Sequence, residues 1–363
     1  MIVTKPFRFI VLLLLALMPF MGFSNESPVS KSVSSTSVVD QKEAERAEFI
    51  QHHLLDSHDF HLFSFGKEKG HEIHVGFPLP VILIDNGIQF FMSTEFHHGE
   101  KVAQSNGNFY KISHHNGMIY RTDATGEQEL YKPLDLSITK NVFMIILIGL
   151  LMLLLFRNLG KSYKANGGIA SGFARIFEPI VLYIRDDIAI PNIGEKHYRK
   201  YMSHLLTVFF FIWFLNMFGL TPLGINVTGN IAITAALAII TYIITTFSAN
   251  KNYWGHIFWM PGVPVPMKIL LMPIELLGTI IKPFSLTVRL YANMMAGHVV
   301  LMSIIAMMYT FNNMVGSGLS FVLAFVLSIL EILVAVLQAY IFTMLTALYF
   351  GSAVEEHHHE EAH

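Results

Sequence analysis

The 363-residue chain has no cysteine. Disulfides, thiolate metal sites and thiol nucleophiles are therefore excluded. It is also poor in charge: Asp, Glu, Lys and Arg together make up 14% of residues, and 24 Lys+Arg nearly balance 26 Asp+Glu. With no basic block, nucleic acid is excluded as a partner. No nucleotide loop or nucleophile–base spacing stands out either. Gly160-Lys161-Ser162 looks like the end of a phosphate loop, but Leu155 stands where its first glycine belongs and no strand precedes it. The sequence therefore offers no cofactor site and no catalytic group of its own.

What the chain has instead is apolar length. Hydrophobic residues make up 53%, and the mean hydropathy is +0.50. Several runs are long enough to cross a hydrocarbon layer of about 30 Å, which needs about 20 helical residues. Lys5 and Arg8 precede a short apolar run over 9–23, with Gly22, Ser24 and Asn25 at its end. This is the layout of a cleaved secretory signal, residues 1–24. Residues 27–40 read as a polar linker, and 41–55 as a short charged helix. From 70 to 131 short β-type runs alternate with turn residues such as Asp85-Asn86-Gly87 and Asn106-Gly107-Asn108. Residues 25–137 thus form an extracytoplasmic, β-rich N-terminal region. Its His doublets, 52–53, 97–98 and 114–115, lack zinc-ligand spacing and read as solvated loop histidines.

Residues 138–350 form a membrane domain. Residues 138–156 are the first span, and Arg157, Lys161 and Lys164 at its exit place that end in the cytoplasm. Phe173, Ile176, Phe177, Ile180, Val181 and Ile184 recur at helical spacing and predict an amphipathic helix on the cytoplasmic surface, bent at Pro179. Spans follow over 205–218 and 231–247. Then come two helices, 284–311 and 319–350, about 42 and 48 Å long at 1.5 Å per residue. Either they break, or they lie at tilts near about 50°, beyond the usual range. Residues 312–318 make the turn of an antiparallel hairpin, and the tail from 351 to 363 reads as disordered. The fold class is an all-α polytopic membrane protein with a steeply tilted intramembrane hairpin and a small β-rich region outside.

Arg289 stands in the apolar stretch of the first hairpin helix. Guanidinium does not deprotonate in proteins, and a charge at membrane depth costs at least about 2.5–3.5 kcal/mol. Such a cation faces a partner, a cavity or an ion path, unless it snorkels or is salt-bridged for structure. At 100° per residue Asn293 shares its face, flanked by Ala292 and Ala296, whereas His298 points the opposite way. On the second helix Glu331 and Gln338 are aligned. A carboxylate beside His298 would hold a proton ready for relay, unless the pair is a structural hydrogen bond.

Ser285-Leu-Thr-Val-Arg289-Leu-Tyr-Ala-Asn293-Met-Met-Ala-Gly-His298 resembles the signature of subunit a of the F-type rotary ATP synthase. Leu215-Asn-Met-Phe-Gly-Leu-Thr-Pro222, Glu275, Glu331 and Gln338 support it, over 138–350. Residues 25–137 exceed the family's usual N-terminal segment. Some members carry Glu where His298 stands and His where Glu331 stands; this chain has the reversed arrangement, like the mitochondrial members. The resemblance implies a non-catalytic stator in the bacterial inner membrane. Its partners would be the c-subunit ring, the b subunits of the peripheral stalk, the rest of the complex and the bilayer. Asn293, His298 and Glu331 would line an outer proton half-channel, Glu275 would sit near an inner one with Lys282, Gln338 would orient Arg289, and Arg289 would separate the two paths. The competing reading is a secondary transporter that binds an anion at Arg289; it predicts inverted repeats, and the sequence shows none.

Overall fold

The computed structural model describes residues 56–65, 73–99, 101–113, 117–126, 129–165, 174–221, 226–260, 262–310 and 314–355, with Gly167 and Gly172. The signal, the linker, the charged helix over 41–55 and the first and last His doublets lie outside these residues. So does the tail beyond Glu355.

Nine strands come first: β1 (Asp59–Phe65), β2 (Ile73–Pro78), β3 (Pro80–Ile84), β4 (Ile88–Met92), β5 (Ala103–Ser105), β6 (Asn108–Ile112), β7 (Ile119–Thr122), β8 (Glu129–Tyr131) and β9 (Leu134–Asp135). They form a β1–β2 hairpin, a sheet ordered β4-β3-β9 and a β5-β6-β7-β8 meander. The turns are where the sequence placed them. Asn106 and Gly107 both have positive φ, and Ser105 pairs with Asn108, as a two-residue Asn-Gly hairpin requires. Val81, Leu83, Phe91, Phe96 and Tyr110 fill the space between the second and third sheets. Asp85, buried there, accepts hydrogen bonds from Tyr110 (2.9 Å), from the Arg121 guanidinium (3.3 Å) and from Tyr131, so its charge is paired. Desolvation first, and the hydrogen bond to Asp85 second, push the Tyr110 phenol up to about 12.

Strand β9 runs almost directly into helix α1 (Lys140–Ala165). Asp56 closes that helix's N-terminus, accepting from the Asn141 N–H (3.2 Å) and the Thr139 hydroxyl (2.8 Å). Burial outweighs these bonds and raises the Asp56 carboxyl above its ordinary value. Beside it, buried His58 lies 3.0 Å from Asp135. Phe60 stacks on Phe77, and both meet Phe143 edge-on in the first turn of α1. Burial opposes charge on His58, but the hydrogen bond and charge of Asp135, helped by Asp56 and Asp59, hold the imidazole above its ordinary value. Burial likewise opposes charge on Asp135, while the bonds from His58 and Ser137 hold it below.

The sign of the pH dependence follows. The His58 contribution is complete below the unfolded imidazole's pKa of about 6.5 and fades as pH rises through the higher folded value. The Asp135 contribution is present above its unfolded value and fades as pH falls through the depressed one. Protease resistance of the β9–α1 junction in the full-length chain is therefore expected to drop as pH rises above about 6.5. His58→Gln should flatten that drop, and cost about 1–3 kcal/mol at pH 6 by removing the charged partner of Asp135, which keeps only its bonds from Ser137. A flat wild-type profile would remove the ion pair from the account.

Seven more helices follow: α2 (Ala174–Tyr183), α3 (Ile190–Ile193), α4 (Tyr198–Gly219), α5 (Ile231–Ser248), α6 (Lys251–Phe258), α7 (Val265–Thr310) and α8 (Met314–Val354). Among the described residues, five helices are long and apolar enough to cross a membrane: α1, α4, α5, α7 and α8. The amphipathic helix forms, but its path differs from expectation. Its irregularity is a π-helical turn over Ile184–Ala189, downstream of Pro179. Phe177, Ile184 and Ile188 are buried in the helical core, so protein covers much of the apolar stripe.

The hairpin is longer than the sequence suggested. Helix α7 has 46 residues and α8 has 41, about 69 and 62 Å. Residues 314–318, expected in the turn, are helical. Pro273 and Pro283 lie inside α7 and each removes one intrahelical donor; the expected start at 284 misread Pro283 as a boundary. Helix α8 also passes Phe350. Asn250 supplies its C-terminal carbonyls with donors, backbone N–H to Ala353 (2.8 Å) and side chain to Val354 (3.1 Å). This bond puts the end of α8 on the same membrane face as the end of α5, where sequence counting left it open. The small residues Ala335, Ala339 and Ala347 are buried on one side of α8, allowing close approach of the core helices. Elsewhere the hairpin is bare: 11% of the most apolar stretch of α7 and of α8 is buried, against 72% for α4. Lipid or another membrane protein must cover the rest.

Candidate functional site

Helices α7 and α8 run antiparallel, and three rungs set their register. Lys282 Nζ lies 5.2 Å from the centre of the Tyr349 ring. The Asn293 amide donates to Gln338 Oε1 at 2.8 Å. The Glu331 carboxylate packs against Gly297, where an added Cβ would stand 2.9 Å from Glu331 Oε1. Along α7, Lys282 and Gly297 are about 22 Å apart at 1.5 Å per residue. Arg289 stands midway between them.

Arg289 is half-buried, beside an outward stripe that includes Phe284, Val288, Ala292 and Ala296. Among the described residues, no carboxylate of this chain lies within ion-pair distance of its guanidinium. Among the described residues no hydrogen bond joins Gln338 to Arg289; the Gln338 carbonyl accepts from the Asn293 amide in the same layer. Gln338 itself is buried, so an amide–amide bond is what keeps its polar end satisfied.

His298 and Glu331 are neighbours through Gly297, yet no hydrogen bond joins them among the described residues. His298 continues the buried stripe of Thr287, Leu290 and Met294, the face opposite Arg289, as the helical phase demanded. That face is covered by α5 and the segment before it, where the Asn226 side chain touches the Met295 sulfur at 4.0 Å. Among the described residues, Glu331 Oε2 is buried with no hydrogen-bond partner. A carboxyl oxygen left unpaired beside a glycine backbone is costly.

On the other side of Arg289, Glu275 and Lys282 line one cleft of about 260 Å³ with Tyr253, His256, Thr279 and Glu355. The alignment of Glu275 with Lys282 was legible from their seven-residue spacing. Tyr253, His256 and Glu355 were not singled out. Tyr253 and His256 come from α6, for which the sequence offers no distinctive signal, and Glu355 is the residue after α8, which the sequence places in the tail. His204, buried in α4 and 3.4 Å from the Thr241 hydroxyl, also went unnoticed; a histidine in an otherwise apolar span was the available signal. Asn216, within the quoted 215–222 motif, accepts from Thr228 at 2.8 Å and ties the end of α4 to the turn before α5. No group of three or more His, Asp or Glu side chains able to hold a metal ion occurs among the described residues.

Comparison with known proteins agrees with this architecture. The family model described as ATP synthase A chain matches residues 142–351, and one described as a domain of unknown function matches residues 49–136. ATP synthase subunit a of Chloroherpeton thalassium is 42% identical over 235 residues, covering 63% of this chain and 70% of that protein. Subunit a of Myxococcus xanthus is 39% identical over 233 residues, 63% of this chain and 77% of that protein. ATP synthase subunit a 2 of Prosthecochloris aestuarii is 37% identical over 308 residues, 78% of this chain and 94% of that protein. That last share exceeds what the chain holds from residue 142 onward, so the similarity reaches into the strand domain. With the match spanning every membrane helix, the chain belongs to the ATP synthase A chain family, whose members are multi-pass membrane subunits of the rotary ATP synthase.

Proposed function

We propose that this chain forms two proton half-channels against a ring of c subunits and couples proton flow to ring rotation. The observation that carries the reading is the placement of Arg289. A permanent cation stands midway along the hairpin with no carboxylate partner among the described residues of its own chain, and titratable groups gather at separate levels on either side. A proton from the extracytoplasmic side passes Glu331, His298 and Asn293 to a carboxyl group on a c subunit. The ring turns with that carboxyl neutral towards lipid. Close to Arg289 the positive charge lowers the affinity of the carboxyl for its proton, which leaves by way of the cleft of Glu275, Lys282, His256 and Glu355. The same charge repels a proton that would pass straight between the half-channels. Each charge crossing contributes about 2.3 kcal/mol per 100 mV, so a leak at this position dissipates the gradient.

Bond-making belongs to other subunits. This chain is a non-catalytic stator held by the b subunits of a peripheral stalk, in the bacterial inner membrane, with its N-terminal region on the extracytoplasmic side. Helical phase gives the test. Ala292 and Ala296 are exposed on the stripe beside Arg289, whereas Leu290 is fully buried. In a cysteine-free chain, Ala292→Cys or Ala296→Cys is expected to form a disulfide with a cysteine placed beside the acidic residue of a c subunit. Leu290→Cys should form none. Absence of a crosslink from Ala292 to any position along the c-subunit helix would refute the reading.

A further inference from the structure

The β4-β3-β9 sheet is apolar on both faces, and one of those faces has no core. Val81, Leu83 and Phe91 point inward. The alternate positions Ile84, Ile88, Phe90 and Met92 point outward, with Ile88 and Phe90 72% and 64% exposed, and Leu134 and Leu136 extend the patch across β9. In water, a patch of this kind marks an interaction surface or an aggregation hazard.

Its position identifies the partner. Three residues separate Leu136 from Lys140 at the start of α1, a reach of at most about 14 Å over the four Cα–Cα steps. The connection is tied down along its length. The Leu136 N–H donates to Ile82 O (2.9 Å), Ile138 N–H to Pro80 O (3.1 Å) and Lys140 N–H to Ser57 O (2.9 Å). Ser137 Oγ accepts from the Ile82 N–H (3.1 Å). Phe60 and Leu79 of the strand domain belong to the same buried cluster as the transmembrane core. The sheet is thus tied to the first turn of α1, and further along that helix the apolar side chains Ile146, Leu147 and Leu150 are exposed.

We infer that this sheet face rests on the bilayer surface from which α1 starts, with Ile88, Phe90 and Leu134 inserted at the boundary between headgroups and acyl chains. The occupant is lipid, because Leu136, itself in the patch, is held within about 14 Å of the start of the membrane-crossing helix α1 by a connection too short and too well bonded to hold the patch away. The inference needs α1 to span the membrane; it does not depend on the proton path.

Site-directed spin labelling tests it, helped by the absence of cysteine from the chain. Phe90→Cys, Ile88→Cys and, as a control on the far sheet, Thr125→Cys are each labelled with a nitroxide in the assembled synthase reconstituted into phospholipid vesicles. The unsubstituted complex serves as the blank. At positions 88 and 90 the label is expected to be relaxed several-fold more by oxygen, which concentrates in lipid, than by a water-soluble nickel chelate; at 125 the order should reverse. Chelate accessibility at 88 and 90 equal to that at 125 would place the patch in water and overturn the inference. Immobilised labels shielded from both agents would mean that protein covers the patch, which overturns it equally.

Discussion

Replacing Arg289 with Ala is expected to abolish ATP-driven proton pumping in inverted vesicles while leaving the subunit assembled. Removing a preorganised charge from where a reacting group changes its own charge typically costs about 10²–10³-fold, and a rotor that cannot deprotonate at the stator has no other route. Assembly should survive because the guanidinium is half-buried and pairs with no carboxylate of its own chain among the described residues. Its loss orphans no partner, unlike the breaking of a buried ion pair. Passive proton leak through the membrane sector should rise as well, since the barrier between the half-channels goes with the charge. Arg289→Lys keeps a cation but loses the planar, weakly hydrated, permanently charged group, and should restore only a small part of coupling. Pumping followed by a pH-sensitive dye, with assembly checked on native gels, decides the matter. Normal coupling in the Ala variant would remove Arg289 from the mechanism.

Gly351→Val is expected to have the largest effect on folding. A Cβ built at Gly351 overlaps the backbone carbonyl oxygen of Asn192 and stands 3.0 Å from its carbonyl carbon. Side chains can swing aside, but these backbone atoms are held in α3, so α8 or α3 must move. Ordinary overpacking costs about 1–3 kcal/mol; a clash with fixed backbone should reach the top of that range or exceed it. Gly351→Ala should be nearly as damaging, because the first carbon already overlaps. At Gly318, also in α8, nothing lies within 4 Å, so Gly318→Ala should change stability by less than about 0.5 kcal/mol. Thermal inactivation of the full-length chain in detergent compares the three. Equal stability of Gly351→Val and the wild type would mean that α8 does not pack on α3 as described.

These two residues show what could be read in advance. Arg289 announces itself because a permanent charge in an apolar helix is expensive wherever the chain folds, and helical phase then places Asn293 beside it and His298 opposite. Gly351 says nothing in sequence, because its importance lies in a backbone atom of residue 192. The hairpin's length was underestimated for a related reason. Pro273, Pro283 and the charges at Glu275 and Lys282 are local signals that usually end a helix, yet the chain stays helical through them, with both charges drawn into a polar cleft. The strand domain was legible where turns are chemically marked, as at Asn106-Gly107, but β1, β6 and the shorter β5, β8 and β9 are not marked in the sequence, since pairing partners more than residue preference determine strands of this kind.

By itself the sequence determined that the chain enters a membrane several times, that one guanidinium must be accommodated there, and which residues share its face. Those properties follow from hydrophobic length, a fixed charge and a 3.6-residue period, all local. Only the tertiary structure decided that Gln338 binds Asn293 and not Arg289, and that Glu331 packs on Gly297 instead of bonding His298. It also decided that α6 and the end of α8 complete the cleft around Glu275. Those outcomes depend on the antiparallel register of two long helices, and register is set by the sum of contacts along both, which no single stretch of sequence contains.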